Sequence, residues 1–149
     1  MGLFEQNEAR AAHEFARAVV DLVGADAQVI RESPVAEFDC ILSIIPRVRD
    51  AVVLDVMILG TQLVVVWARR PCLGWWTFEG AAAQSASWAV IAQIVDGGGQ
   101  AVREKRGNLL LLRDGVVRLL DRGGATVAVM DDGGSGPWKR VTNFPPYRP

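Results

Sequence analysis

The spacing of apolar residues predicts a helix near the start of the chain. One apolar stripe recurs every three or four positions, as the face of a helix requires, through Ala12, Phe15, Val19, Leu22 and Val23. Asn7 can cap the first turn with its side-chain oxygen, and Gly24 can end the helix. We therefore expect a helix over residues 8–23, with His13 solvated on its opposite side.

Apolar runs separated by turn residues then predict a group of strands. They span Gln28–Glu32, Phe38–Ile45, Ala51–Leu59 and Gln62–Arg69. Gly60-Thr61 suits a two-residue hairpin, in which Leu54, Val56 and Ile58 would share a face with Leu63, Val65 and Trp67. Both faces of this hairpin are apolar, so it is expected to be covered on both sides or to offer one face as an interface.

The second half of the chain has a similar pattern. Residues 80–95 carry no charge and predict a helix that is buried on most sides, ended by Gly97–Gly99. Four strands are predicted after it, over Gln100–Lys105, Asn108–Arg113, Val116–Leu120 and Ala125–Met130. Asp114-Gly115 predicts a hairpin turn. Residues 132–149 are rich in Gly, Ser and Pro and predict an irregular C-terminal tail.

A weak internal repeat relates the two halves. A shift of 72 residues places Gln28–Glu32 on Gln100–Glu104, and a shift of 64 places Asp50–Val53 on Asp114–Val117. The pattern predicts one α+β domain over 1–131, with two helices each followed by an antiparallel β-meander. A duplicated α-β4 unit, in halves 8–70 and 79–131, is one explanation, and similar architecture without duplication is the other. Curved sheets that grip a helix, as in cystatin-like and hot-dog-like folds, provide the packing by analogy.

Composition narrows the classes of function. Half of the residues are apolar, and the net charge of −1 provides no general basic field for nucleic acid. Lys105 and Lys139 are the only lysines, and such an excess of arginine is typical of a GC-rich, bacterial-like composition. Because no basic, apolar leader and no long apolar stretch stand out, we expect a cytoplasmic location and no membrane.

Few residues offer catalytic or metal chemistry. Cys40 and Cys72 lie in apolar surroundings and predict buried free thiols. A single histidine cannot form the usual zinc sets or a nucleophilic triad at a recognisable spacing, so no metal and no cofactor are expected. Asp55 lies among apolar neighbours. It is either a pocket acid, or a solvent-facing residue near the edge of the hairpin, or the partner of an arginine such as Arg47 or Arg49. Glu79 is the second candidate pocket acid, between an aromatic segment and the second helix.

Arginine and tryptophan cluster in two places. Seven residues form these clusters, namely Arg69, Arg70, Trp75, Trp76, Trp138, Lys139 and Arg140. They are either core residues with ordinary edge charges, or a protein contact, or a single-stranded nucleic-acid site. The sequence favours a non-enzymatic protein-interaction module of the inhibitor, immunity or chaperone/adaptor type, with a homodimer as one variant. The alternatives are a small-molecule-binding or hot-dog-like enzyme that uses Asp55 or Glu79, and a weak nucleic-acid binder, which the overall charge disfavours.

Overall fold

The computed structural model describes residues 2–32, 37–71, 73–105, 115–132 and 139–148. In these ranges it has two helices and nine strands, and the predicted α+β class is confirmed. The elements are α1 (Leu3–Val23), β1 (Ala27–Glu32), β2 (Cys40–Pro46), β3 (Val53–Leu59), β4 (Leu63–Arg70), β5 (Gly74–Glu79), α2 (Ala83–Ala92), β6 (Gly99–Lys105), β7 (Gly115–Leu120), β8 (Thr126–Asp132) and β9 (Lys139–Phe144). A 3₁₀ turn over Gly24–Asp26 follows α1, and a π-helical turn over Gln93–Gly97 follows α2.

The strands form two antiparallel sheets. The first sheet is a simple meander in the order β1-β2-β3-β4-β5, and the second has the order β8-β7-β6-β9. In the second sheet β6, β7 and β8 pair antiparallel in chain order, as a meander requires, and β9, from the segment predicted as a tail, pairs with the free side of β6. The two sheets differ in connectivity, so the duplicated unit gains no support. The predicted strand Asn108–Arg113 lies outside the described residues, and Gly115, predicted as a turn residue, begins β7.

One buried cluster joins both sheets to the helices. Helix α1 packs against β2 and β3, while α2 packs against β4 and β5. Strand pairing aligns Leu42, Val56, Val66 and Trp76 in a buried row across the first sheet. The same cluster includes Ala101, Leu119 and Phe144 of the second sheet. Helix α2 is less enclosed than predicted, because Ser85, Ala86 and Ala89 remain exposed.

Helix α1 begins five residues before the predicted start. The Glu5 side chain accepts a hydrogen bond from the Gly2 N–H at 3.0 Å, so one free donor of the first turn is satisfied there. The predicted cap, Asn7, therefore lies within the helix. Leu3 and Phe4 are about three-quarters exposed (74% and 73%). The first turn therefore lies outside the buried apolar stripe, and the spacing of that stripe could not predict it.

The β3–β4 hairpin has a different register from the predicted one. Leu59 pairs with Leu63, so the loop contains three residues instead of two. Because side chains alternate between the faces of a sheet, one additional loop residue changes the cross-strand partner of every residue in the hairpin. Val56 now shares a buried face with Val66, while Val65 and Trp67 lie on the other face. The longer loop is bound by α1, since Glu8 accepts hydrogen bonds from the Thr61 N–H (2.7 Å) and from its hydroxyl.

Gly60→Ala is expected to lower the free energy of unfolding by about 1–3 kcal/mol. Gly60 has a φ of +51°, and an added Cβ would lie 2.3 Å from the Glu8 Oε2 atom. Chemical denaturation of the wild type and the variant measures this effect. Gly124→Ala is the matched control, because Gly124 also has a positive φ (+86°) but nothing within 4 Å of its Cβ position. Equal losses in the two variants would show that the Glu8 contact contributes nothing.

The C-terminal segment is not the irregular tail that its composition predicted. Lys139–Phe144 form β9, and Tyr147 is buried with 1% of its surface exposed. The Tyr147 hydroxyl donates a hydrogen bond to the Val52 carbonyl at 2.5 Å. Arg148 forms ion pairs with Asp26 and with Asp96, which anchors the segment to the ends of α1 and α2. The composition of the segment could not predict this order, because its contacts are with residues that are distant in sequence.

Candidate functional site

One side of the first sheet faces away from the buried cluster, and we call it the outer sheet face. Two rows of paired residues cross all five strands on this side. The rows are Ile30, Ser43, Asp55, Trp67 and Trp75, and Glu32, Ile41, Met57, Val65 and Thr77. Trp75, Ile30 and Trp67 are exposed by 49%, 46% and 38%. Six of the ten side chains are aliphatic or aromatic and four are polar, so the face is an accessible, largely apolar band.

The composition of two adjacent strands produces this band. Strands β3 (VLDVMIL) and β4 (LVVVWARR) are apolar at both alternating sets of positions. The helices cover the inner set, while Met57 and Val65 of the outer set are partly exposed and Leu59 and Trp67 are exposed. Contiguous exposed apolar patches are uncommon on monomeric proteins and mark interaction sites. The sequence left two alternatives for this hairpin, cover on both sides or one face used as an interface; one face is accessible here, and its use as an interface stays a prediction.

Asp55 lies in the middle of the outer sheet face and is only 9% exposed. Its Oδ2 atom pairs with Nε of Arg69 at 3.0 Å, so its partner is neither Arg47 nor Arg49. A register shift in the β3–β4 pairing places Ala68 opposite Leu54 and Arg70 opposite Val53, so Arg69 is the extra residue of a bulge. The Oδ1 atom is buried and has no hydrogen-bond partner in the described part of the chain.

The predicted site residues do not all lie on this face. Trp75 and Arg69 do, whereas Trp76 points to the opposite side with 2% of its surface exposed, so it is a core residue and not a partner contact. Glu79 is exposed at the end of β5, where it pairs with Leu63. Lys139 and Arg140 begin β9, and Trp138 lies outside the described residues. The structure therefore brings together only part of the two Arg/Trp clusters.

Charged residues divide the outer sheet face into two ends. Arg69 and Arg70 lie at the end of β4 beside the β2–β3 connection, which adds Arg47 and Arg49. Glu79 lies at the opposite end, next to the β3–β4 loop, and Glu32 lies two residue pairs closer to the middle of the sheet. The exposed apolar band thus has a basic end and an acidic end. Sequence reasoning missed this division, because it depends on strand order and register.

Comparison with protein-family models, curated proteins and solved structures found no match. Inferences about function therefore come from the geometry of the chain. Within the described residues, no group of three or more His, Cys, Asp or Glu side chains could hold a metal ion. The same residues contain no helix with the length and apolar character needed to cross a bilayer.

Cys40 and His13 lie close to the same arginine, on the side of the sheet that faces α1. Cys40 is a buried free thiol, as predicted, and Cys72 lies outside the described residues. Burial raises the pKa of the Cys40 thiol, while the neighbouring Arg31 opposes this shift. Arg31 also donates a hydrogen bond to His13 Nδ1 at 2.7 Å, so His13 is not the freely solvated residue that the helical pattern predicted.

Proposed function

We propose that this chain is a non-enzymatic protein-interaction module, of the inhibitor, immunity or chaperone/adaptor type, that binds a protein through its outer sheet face. The observation that carries this proposal is the exposed apolar band with Trp67 and Trp75. Tryptophan is enriched among the residues that dominate binding energy, and arginine, here Arg69, is enriched with it. A cytoplasmic location remains a prediction from the sequence.

The distribution of charge favours a second copy of the chain as the partner. Two sheets that pack face to face keep their strands within about 30° of each other. If a two-fold axis lies in the interface and perpendicular to the strands, β4 of one copy lies over β4 of the other in the opposite direction. If this axis crosses β4 midway between Leu63 and Arg70, Arg70 of each copy lies opposite the pair Leu63 and Glu79 of the other copy. The face is thus complementary to itself, as a two-fold interface requires.

A charge-swap experiment tests the proposed partner and its orientation. In the two-fold arrangement, Arg70→Glu places an acidic side chain opposite Glu79 of the other copy, and Glu79→Lys places a basic side chain opposite its Arg70. Each variant alone is expected to self-associate about tenfold more weakly than the wild type, since two rim charge pairs per dimer become repulsive. An equimolar mixture is expected to recover association, because each basic end then faces an acidic end. Sedimentation velocity of the separate and mixed variants measures this.

Two results of the charge swap would count against the proposal. If the single variants associate as strongly as the wild type, the charged ends do not face each other. If the mixture associates no better than either variant alone, the antiparallel arrangement is wrong. Arg17→Glu, at an exposed position of α1, is the control for a change of net charge.

A further inference from the structure

A cleft of about 650 Å³ opens at the basic end of the first sheet. It lies between the connection from β2 to β3 and the strand β9 of the second sheet. Its polar lining consists of Arg47, Arg49, Asp50, Arg70, Thr142 and Asn143. The volume falls within the range of about 300–1,000 Å³ that is usual for small-molecule sites. The two sheets thus enclose a space of suitable size between them.

The cleft concentrates positive charge in a chain whose net charge is −1. Three arginines line it, and Asp50 is the only acidic residue among the described residues that line it. Arg47 donates a hydrogen bond from Nε to the Ala25 carbonyl at 2.7 Å, which orients the guanidinium and leaves its terminal amino groups for a ligand. Neither Arg49 nor Arg70 forms an ion pair with the described part of the chain. The cleft therefore has more guanidinium N–H donors than acceptors among its described lining residues to bind them.

We propose that this cleft binds a small molecule with two adjacent anionic groups, such as a diphosphate. The planar fork of a guanidinium pairs with two oxygens of a phosphate or carboxylate at once, which makes arginine the usual residue for such ligands. Three guanidiniums around one cleft match the several oxygens of a diphosphate better than those of a single carboxylate. Thr142 and Asn143 on the opposite wall supply hydrogen bonds to the rest of the molecule.

A small ligand fits this site better than a nucleic-acid strand. Nucleic-acid binding relies on many phosphate contacts along an extended basic surface. Here the basic residues converge on one cleft, and the opposite end of the same sheet is acidic, with Glu32 and Glu79. The cleft is also separate from the centre of the outer sheet face, because neither Val65 nor Trp75 lines it. The inference does not rest on the proposed function, although the cleft shares Arg70 with the basic end of the outer sheet face.

Calorimetric titration with inorganic pyrophosphate, at constant ionic strength and neutral pH, tests the proposal. The wild type is expected to bind, and Arg49→Ala/Arg70→Ala is expected to bind at least about tenfold more weakly, since charged hydrogen bonds are lost. Asp50→Asn is expected to bind about threefold more tightly, because it removes the one negative lining charge. Asparagine also tolerates the positive φ of this position, which is 66° in the structure.

A charge-matched control separates a specific site from general attraction. Arg10→Ala/Arg17→Ala removes the same charge from exposed positions of α1 and is expected to leave pyrophosphate binding unchanged. Circular dichroism checks that every variant is folded. Absence of binding by the wild type, or equal weakening in both double variants, would overturn the proposal. Binding of an oligothymidylate in place of pyrophosphate, lost in the Arg49/Arg70 variant, would overturn the small-molecule assignment in favour of nucleic acid.

Discussion

Tyr147→Ala is expected to lower the free energy of unfolding by about 3–5 kcal/mol, as other truncations of buried aromatic residues do. Tyr147 is 1% exposed and belongs to the cluster that joins the two sheets. Its hydroxyl and its backbone N–H bind the carbonyls of Val52 and Val95, which lie far apart in sequence. Urea denaturation followed by tryptophan fluorescence measures the loss. A variant as stable as the wild type would show that the C-terminal segment contributes nothing to the core.

Tyr147→Phe separates the hydrogen bond from the packing. This variant keeps the ring and leaves the buried Val52 carbonyl without its donor, so a smaller loss of about 1–3 kcal/mol is expected. Equal losses for the alanine and phenylalanine variants would mean that ring packing has no effect. The comparison thus assigns the stabilising contribution to the ring or to the hydroxyl.

Tyr147 is also expected to make the stability of the protein decrease at alkaline pH. Burial raises the pKa of the Tyr147 phenol above its ordinary value of about 10. Below pH 10 the phenol is neutral in both states, so its contribution to stability is complete. As the pH rises above about 10, the unfolded chain ionises first, and stability falls. Tyr147 is the only tyrosine, so the absorbance of phenolate reports its ionisation alone. The stability of Tyr147→Phe is expected to fall less than that of the wild type as the pH rises above about 10.

Val65→Lys is expected to weaken self-association at least about 100-fold without unfolding the chain. Val65 lies on the middle strands of the outer sheet face, opposite Met57 and next to the row of Trp67. In a two-fold interface, two lysines would be buried without partners near its centre. The free chain tolerates the change, because Val65 is only partly buried and its side chain points away from the core.

Ala86→Lys provides the matched control for this substitution. Ala86 is exposed on α2, so its lysine has the same charge but lies away from the outer sheet face. Sedimentation equilibrium of the three proteins compares their dissociation constants. If Ala86→Lys disrupted association as strongly as Val65→Lys, then net charge and not the outer sheet face would control it.

The sequence predicts much of the fold because its local patterns are strong. Helix α1, the strands β1 to β4 and the turn at Gly60 all follow from apolar spacing and from residues suited to turns. The prediction that the β3–β4 hairpin is covered on both sides or offers one face as an interface needed only the observation that both sets of alternating positions are apolar. These features depend on neighbours within a few residues, which a single sequence displays directly.

The remaining features depend on contacts between distant residues. The three-residue loop at Gly60 is hydrogen-bonded to Glu8 from α1. The third loop residue shifts the register of β4 by one and so changes which of its side chains are exposed. The partner of Asp55 depends on the bulge that contains Arg69. The adjacent residues Trp75 and Trp76 have opposite environments, which follow only once the strand and its covered face are known. Register and strand order therefore had to come from the structure.

The most direct test of the outer sheet face as a docking surface is the molar mass of the wild-type chain in solution. Light scattering over a range of concentrations is expected to show a rise from 16.2 kDa to twice that value, and Val65→Lys is expected to remain at 16.2 kDa over the same range. A wild-type mass of 16.2 kDa at every concentration would contradict self-association through this face.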